Sequence, residues 1–175
     1  MDGAVAARAP GPATAAATWS VGATVTGMAH VFEPATGDGE DVRGRDRVAE
    51  VRTAFDGLLQ IRRVTGTAPA AWELNQMVRA VALTLEAAGI PPSATDASGA
   101  RTATGYRVRA SDSPRMVCVD WLGPPGSGAP QEEETKLTEC ATRLTGLGWE
   151  ALLYRGPRHR RFLEVEPAAS SPPGR

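Results

Sequence analysis

Large apolar side chains are scarce in this chain, and their distribution limits where a core can form. Leu, Ile, Val and Phe make up 31 of the 175 residues, and 25 of these lie within residues 46–166. So low a share is close to that of disordered chains, but the net charge of −1 is too small for self-repulsion to keep the chain open. We therefore predict one folded domain over residues 46–166, a disordered arm and linker over residues 1–45 and a disordered tail over residues 167–175.

The charge balance argues against several classes of protein. The 19 Lys+Arg residues offset the 20 Asp+Glu residues, which excludes a strongly basic nucleic-acid protein and a strongly acidic one. No apolar run approaches the ~18 residues that cross a bilayer, so we expect no membrane partner. The two cysteines and two histidines are too few for a disulfide scaffold or a Cys-based zinc site. We predict neither a metal nor a cofactor.

Codon bias explains the unusual choice of basic residue. The chain has 30 Ala, 18 Arg and a single Lys, Lys136, as expected of a GC-rich and bacterial genome. The first residues lack both a Leu-rich stretch and a cationic start, so we expect no secretory signal and a cytoplasmic protein.

Three stretches have the periodicity of helices. The first covers residues 46–64, with Asp46 as N-cap and Gly66 at the end. The second covers residues 70–88, with Pro69 at the first helical position. The third covers residues 130–145 and begins with three glutamates, which we attribute to solvation of a helix N-terminus. The expected buried stripes are Val48, Val51, Phe55, Leu58 and Leu59, then Leu74, Val78, Val81, Leu85 and Ala88, and finally Leu137, Cys140, Ala141 and Leu144.

Four stretches alternate as strands do, at residues 105–110, 116–122, 149–155 and 160–166. The first two form a hairpin whose four-residue loop pairs Val108 with Val117. The last two form a second hairpin, which needs an odd loop of three or five residues around Pro157 if both apolar faces are to coincide. The residues expected to face inward are Tyr106, Val108, Ala110, Val117, Val119, Trp121, Trp149, Ala151, Leu153, Leu163 and Val165.

The order of elements is α-α-β-β-α-β-β. This order favours an α+β fold, with a four-stranded antiparallel sheet and helices packed on one face. The residues between the second helix and the first strand, 91–104, are small and are expected to form a loop.

The other face of the sheet, which we call the outer face, combines basic, aromatic and apolar side chains and is the candidate binding surface. The basic tip of the second hairpin adjoins it, and its Arg side chains could grip carboxylate or phosphate groups. The candidate partner-binding residues are Arg107, Arg109, Met116, Tyr154, Arg155, Arg158, His159, Arg160 and Phe162.

The leading interpretation is a small non-enzymatic adaptor domain that binds another protein or a second copy of itself, because exposed apolar residues on a solvated face favour a covering partner. The alternative is nucleic-acid binding through the tip at residues 155–161 and the open sheet face. Acidic residues on the same face weaken that alternative. A third interpretation is an enzyme with an unrecognised site.

No catalytic residue is predicted. The chain has no Gly-x-Gly-x-x-Gly after a strand and no phosphate loop. A nucleophile–base pair of Cys118 and His159 is conceivable, but a cysteine among valines is usually a small apolar side chain.

Overall fold

The computed structural model describes residues 31–169 of the chain. The disordered arm predicted before residue 31 and most of the tail lie outside the described residues. The helices are α1 (Arg45–Thr65), α2 (Ala71–Asn75), α3 (Met77–Ala87) and α4 (Ala129–Thr145). The strands are β1 (Ala94–Thr95), β2 (Arg101–Ala103), β3 (Gly105–Ala110), β4 (Val117–Leu122), β5 (Trp149–Arg155) and β6 (Arg161–Pro167).

The predicted α+β fold is confirmed. One antiparallel sheet has the strand order β3-β4-β6-β5, and α3 and α4 pack on the same face of it. The pair β1–β2 forms a separate two-stranded sheet in the stretch that we expected to be a loop. Its turn is held by Asp96, whose side chain accepts from the backbone N–H of Ser98 at 2.8 Å. We did not predict these strands because their residues are small and lack the alternation of apolar and polar side chains that indicates a strand, and because the turn between them depends on a local Asp side chain.

The two hairpin registers differ in how well the sequence specified them. Val108 pairs with Val119 rather than with Val117, because the loop between β3 and β4 has six residues. This shift of two residues leaves every side chain on its predicted face. In the second hairpin Ala151 pairs with Val165 across a loop of five residues, one of the two odd lengths that we predicted.

The second predicted helix is two helices. The chain breaks at Gln76, where φ is −133° and ψ is 49°. Asn75 precedes the break, and asparagine favours helix ends because its side chain competes for backbone hydrogen bonds. The caps also differ from expectation: α1 starts after Gly44 rather than at Asp46, and α2 starts after Ala70 rather than at Pro69.

Helix α3 lies between two layers. The sheet and α4 cover one side of it, and α1 covers the other. Residues 80–85 are consequently all buried, although only a stripe was predicted. Helix α1 buries few of its side chains. Val51 and Leu58 are buried, whereas Val48, which we expected in the buried stripe, is 62% exposed.

A buried ion pair fastens α1 to α2. The Arg62 Nη2 donates to Glu73 Oε1 at 2.7 Å, while Nε lies 2.7 Å from Oε2 at an angle too poor for a hydrogen bond. Glu73 is fully buried, and its second oxygen accepts from the backbone N–H of Ala70 at 2.7 Å. The Arg62 Nη1 donates to the carbonyls of Thr67 and Leu147, at 2.8 and 2.7 Å. This one guanidinium therefore joins the end of α1 to the turns before α2 and β5.

The residues from 31 to 44, which we assigned to the linker, lie along the domain. The guanidinium of Arg47 covers the ring of Phe32 at 4.5 Å from its centroid. Gly37 approaches β3 so closely that a Cβ there would lie 2.1 Å from the Tyr106 carbonyl oxygen. Composition alone did not indicate these contacts. Among residues 31–169, no helix has the length and apolar character needed to span a membrane.

Candidate functional site

The register of the sheet aligns the outer-face residues in rows across all four strands. Helices occupy the opposite face, so these side chains point away from the main core. One row is Arg107, Asp120, Phe162 and Tyr154, and the next is Arg109, Cys118, Glu164 and Leu152.

Arg107 and Arg109 share a single carboxylate. The Asp120 Oδ2 accepts from Arg107 Nη2 at 2.6 Å and from Arg109 Nε at 3.0 Å. This carboxylate offsets half of their charge. The row is therefore less suited to holding a phosphate than two free arginines would be.

Tyr154 and Phe162 form the aromatic part of the outer face. They are directly opposite on β5 and β6, and their rings stack with centroids 6.0 Å apart. Tyr154 is 43% exposed, and Phe162 is half-buried between it and Asp120. The stack forms an amphipathic surface beside the edge of the sheet.

Arg160 contacts the chain itself. Its Nε donates to Glu133 Oε1 at 2.7 Å, and the backbone N–H of Arg161 donates to the other oxygen at 2.9 Å. Glu133 lies just after the first turn of α4 and is buried, so solvation was the wrong explanation for this glutamate. Arg161 pairs in turn with Glu134 at 2.7 Å. The base of the hairpin tip is thus fixed to α4.

The remaining cations of the tip are exposed. Arg155, Arg158 and His159 make no ion pair with any described residue. Arg158 and His159 have φ values of 58° and 60°, the left-handed region that costs a non-glycine residue about 1 kcal/mol or more. The turn thus presents three unpaired basic side chains at one end of β5.

Met116 and Cys118 lie apart from that tip. Met116 precedes β4 and lines a cavity beside Leu74 and Val78, at the other end of the sheet. Cys118 is on the outer face but is buried between its cross-strand neighbours. Burial raises the pKa of the Cys118 thiol. His159 lies in the turn before β6, whereas Cys118 pairs with Glu164, three residues into that strand, so roughly 10 Å of strand separates the turn from Cys118.

The two edges of the sheet are treated differently. Backbone bonds from within the chain cover the edge at β3: the Val108 N–H donates to the Thr36 carbonyl at 2.7 Å, and the Tyr106 N–H donates to the Pro91 carbonyl at 3.0 Å. A parallel bridge joins Pro92 to Tyr106 at the same edge. This edge therefore offers few free groups to another strand.

The other edge, β5, has no such cover within residues 31–169. Gly156 and Gly148 bond to the β6 side, through the Arg160 carbonyl at 2.7 Å and the Ala168 N–H at 3.0 Å. Because antiparallel bonding alternates along a strand, the even residues of β5 face β6 and the odd residues, 149, 151, 153 and 155, direct their N–H and C=O groups outward. Those outward groups have no backbone partner in the described part of the chain.

The side chains of β5 are also exposed. Leu152, Leu153 and Tyr154 are 45%, 40% and 43% exposed. Leu153 points toward the helix side as predicted, but it is not enclosed there, because β5 is the last strand of the sheet. The sequence did not reveal this edge, since strand order was not predicted. The three consecutive large side chains are the signal that could have indicated it.

Two cavities of about 440 and 460 Å³ each include one candidate residue, Arg160 and Met116 respectively. No group of three or more potential metal ligands occurs among residues 31–169. A cavity of about 610 Å³ lies between the start of α1 and residues 86–92, and none of the candidate residues lines it.

No protein-family model, no curated protein and no solved structure matches this chain.

Proposed function

We propose that this protein is a non-enzymatic binding domain that acts through protein–protein interaction. The binding surface is the free edge of β5 together with the adjoining outer-face side chains Leu152, Tyr154 and Phe162. The observation that carries the proposal is the contrast between the edges: residues 31–169 cover β3 and leave the seven-residue strand β5 without a backbone partner on its outer edge.

An open edge supports binding because its unpaired backbone groups are a template for another strand. Natural sheets usually protect such an edge with Lys, Pro, a bulge or a covering segment. β5 contains neither Lys nor Pro, and its pairing with β6 has no irregularity. Strand addition supplies affinity through main-chain hydrogen bonds and specificity through alternate side chains.

The test uses the full chain as bait against a lysate of its own cells. We expect Leu152→Lys to lose the proteins that the parent chain retains, because an edge lysine opposes strand addition and adds charge to the apolar patch. The matched control is Val64→Lys, since Val64 is 88% exposed at the far end of α1. The proposal fails if both variants retain the same proteins as the parent chain.

Nucleic-acid binding is the second candidate, and the unpaired Arg155, Arg158 and His159 are what favours it. It is the weaker candidate because Arg107, Arg109 and Arg160 already contact carboxylates. Its test is a gel shift with single-stranded oligonucleotides at low salt. Binding that Arg155→Glu with Arg158→Glu abolishes, and that added salt weakens, would support this candidate against protein binding.

A further inference from the structure

Resting on the proposed function, we infer that the partner at the β5 edge is a second copy of this chain. The two β5 strands pair antiparallel about a two-fold axis at Leu152, which makes one continuous eight-stranded sheet. The inference follows from three properties of β5: which of its residues direct their backbone N–H and C=O groups to the free edge, the sequence of its side chains, and the charges near its two ends.

The alternation of outward backbone groups along β5 fits a symmetric antiparallel pair of β5 strands centred on Leu152. In that register Ala151 of one copy is opposite Leu153 of the other, and Trp149 is opposite Arg155. All four of these residues have their N–H and C=O groups on the free edge, as a hydrogen-bonded pair requires. Leu152 then faces its own symmetry mate in a non-hydrogen-bonded pair. This register uses all seven residues of the strand, whereas a shift in either direction uses fewer.

The side chains are self-complementary in this register. On the outer face Leu152 meets Leu152, and Glu150 is opposite Tyr154, so no like charges face each other. The exposed Leu152 and Tyr154 of both copies would form one apolar strip flanked by the two Phe162 rings. On the other face Leu153 packs against Ala151 of the other copy. Burial of these half-exposed side chains supplies the apolar contribution to association.

Charges at the two ends of β5 provide the complementarity. Glu150 lies directly opposite Glu166 on the outer face, and neither carboxylate makes an ion pair with a described residue. Arg155 and Arg158 are the unpaired cations at the other end among the described residues. The antiparallel arrangement places the basic tip of each copy beside the acidic end of the other, twice by symmetry. A two-fold interface of this kind closes on itself.

The first measurement is the mass of the full chain by sedimentation or light scattering over a range of concentrations. We expect a rise toward twice the 18.3 kDa of one chain, and a weaker association at high salt because the end charges are exposed. Leu152→Lys should keep the mass at one chain. Val64→Lys should associate as the parent does.

A cysteine pair tests the register itself. Cα atoms of a non-hydrogen-bonded pair are about 4.5 Å apart, within the range that a disulfide spans. Leu152→Cys should therefore form a covalent dimer on oxidation with diamide. Glu150→Cys is the matched control, because residues 150 of the two copies would be about 14 Å apart. Cys118 and Cys140 are buried and should not cross-link.

Three outcomes would overturn the inference. Equal cross-linking of both cysteine variants would mean that the register is wrong. A single-chain mass with freely exchanging amides at Ala151 and Leu153 would mean that no second copy binds. The proposed function would still be supported in that case if Leu152→Lys, but not Val64→Lys, failed to retain the lysate proteins that the parent chain retains. A single-chain mass with those amides protected at every concentration would mean that the chain covers its own edge, which would overturn both.

Discussion

The buried Arg62–Glu73 pair gives the sharpest prediction about stability. In Glu73→Gln the side chain keeps its size and its bond from the Ala70 N–H, but the Arg62 guanidinium loses the only counter-charge that it contacts among residues 31–169. Removing one partner of a buried pair costs about 3–5 kcal/mol. Arg62 keeps its bonds to two carbonyls, so we expect about 3 kcal/mol, the lower end of that range.

The measurement is urea and thermal unfolding followed by circular dichroism. A loss of about 3 kcal/mol corresponds to a fall of roughly 10 °C in Tm for a domain of this size. The double variant Arg62→Met with Glu73→Gln removes the unpaired charge, so the two single costs should not add, with a coupling energy above about 1 kcal/mol. Asp41→Asn is the control, because its exposed pair with Arg43 should contribute less than about 0.5 kcal/mol. A loss below about 1 kcal/mol in Glu73→Gln, or additive single variants, would refute this reasoning.

Three further predictions concern separate parts of the chain. Gly37→Ala should lower the Tm by several degrees because its Cβ would clash with the β3 backbone, while Gly57→Ala, in open space on α1, should raise stability by about 0.5–1 kcal/mol. Burial raises the pKa of Cys118 and raises that of Cys140 to about 12, so little of either thiol is ionised at pH 8. Neither cysteine should therefore react with a thiol reagent until the protein unfolds, and rapid labelling of the native chain would contradict this. Glu133→Ala should release the hairpin tip, seen as faster amide exchange there, and unchanged exchange would mean that this carboxylate does not hold the tip.

Residue periodicity was sufficient to predict the layers of the fold. Alternation in Tyr106–Val108 and in Val117–Trp121 indicated the inward face of the first hairpin, and matching the two apolar faces of the second hairpin required an odd loop around Pro157. Loop length was less certain, so Val108 was paired two residues away from its actual partner. A period of two preserves the face and leaves such a shift undetected.

The parts that could not be predicted depend on tertiary contacts. Glu133 on α4 and Arg160 just before β6 are 27 residues apart, and nothing local indicates that this carboxylate contacts that arginine. The buried role of Glu73 likewise depends on Arg62 in another helix. The free edge at β5 follows from strand order, which sequence periodicity does not specify. These long-range pairings decide which candidate cations remain available to a partner.

The thin attachment of α1 has a consequence for how the protein comes apart. Within the described part of the chain, the buried members of its packing cluster are Val51 and Leu58 of α1 and Leu83 of α3, and the ion pairs Arg47–Glu86 and Arg62–Glu73 hold its two ends. Detaching this helix would expose little buried apolar surface and would leave the packing of α3 and α4 on the sheet intact. Such an element opens at a lower free energy than the whole domain. The amides of α1 should therefore exchange faster than those of α3 and α4, and Glu73→Gln should speed exchange in α1 further.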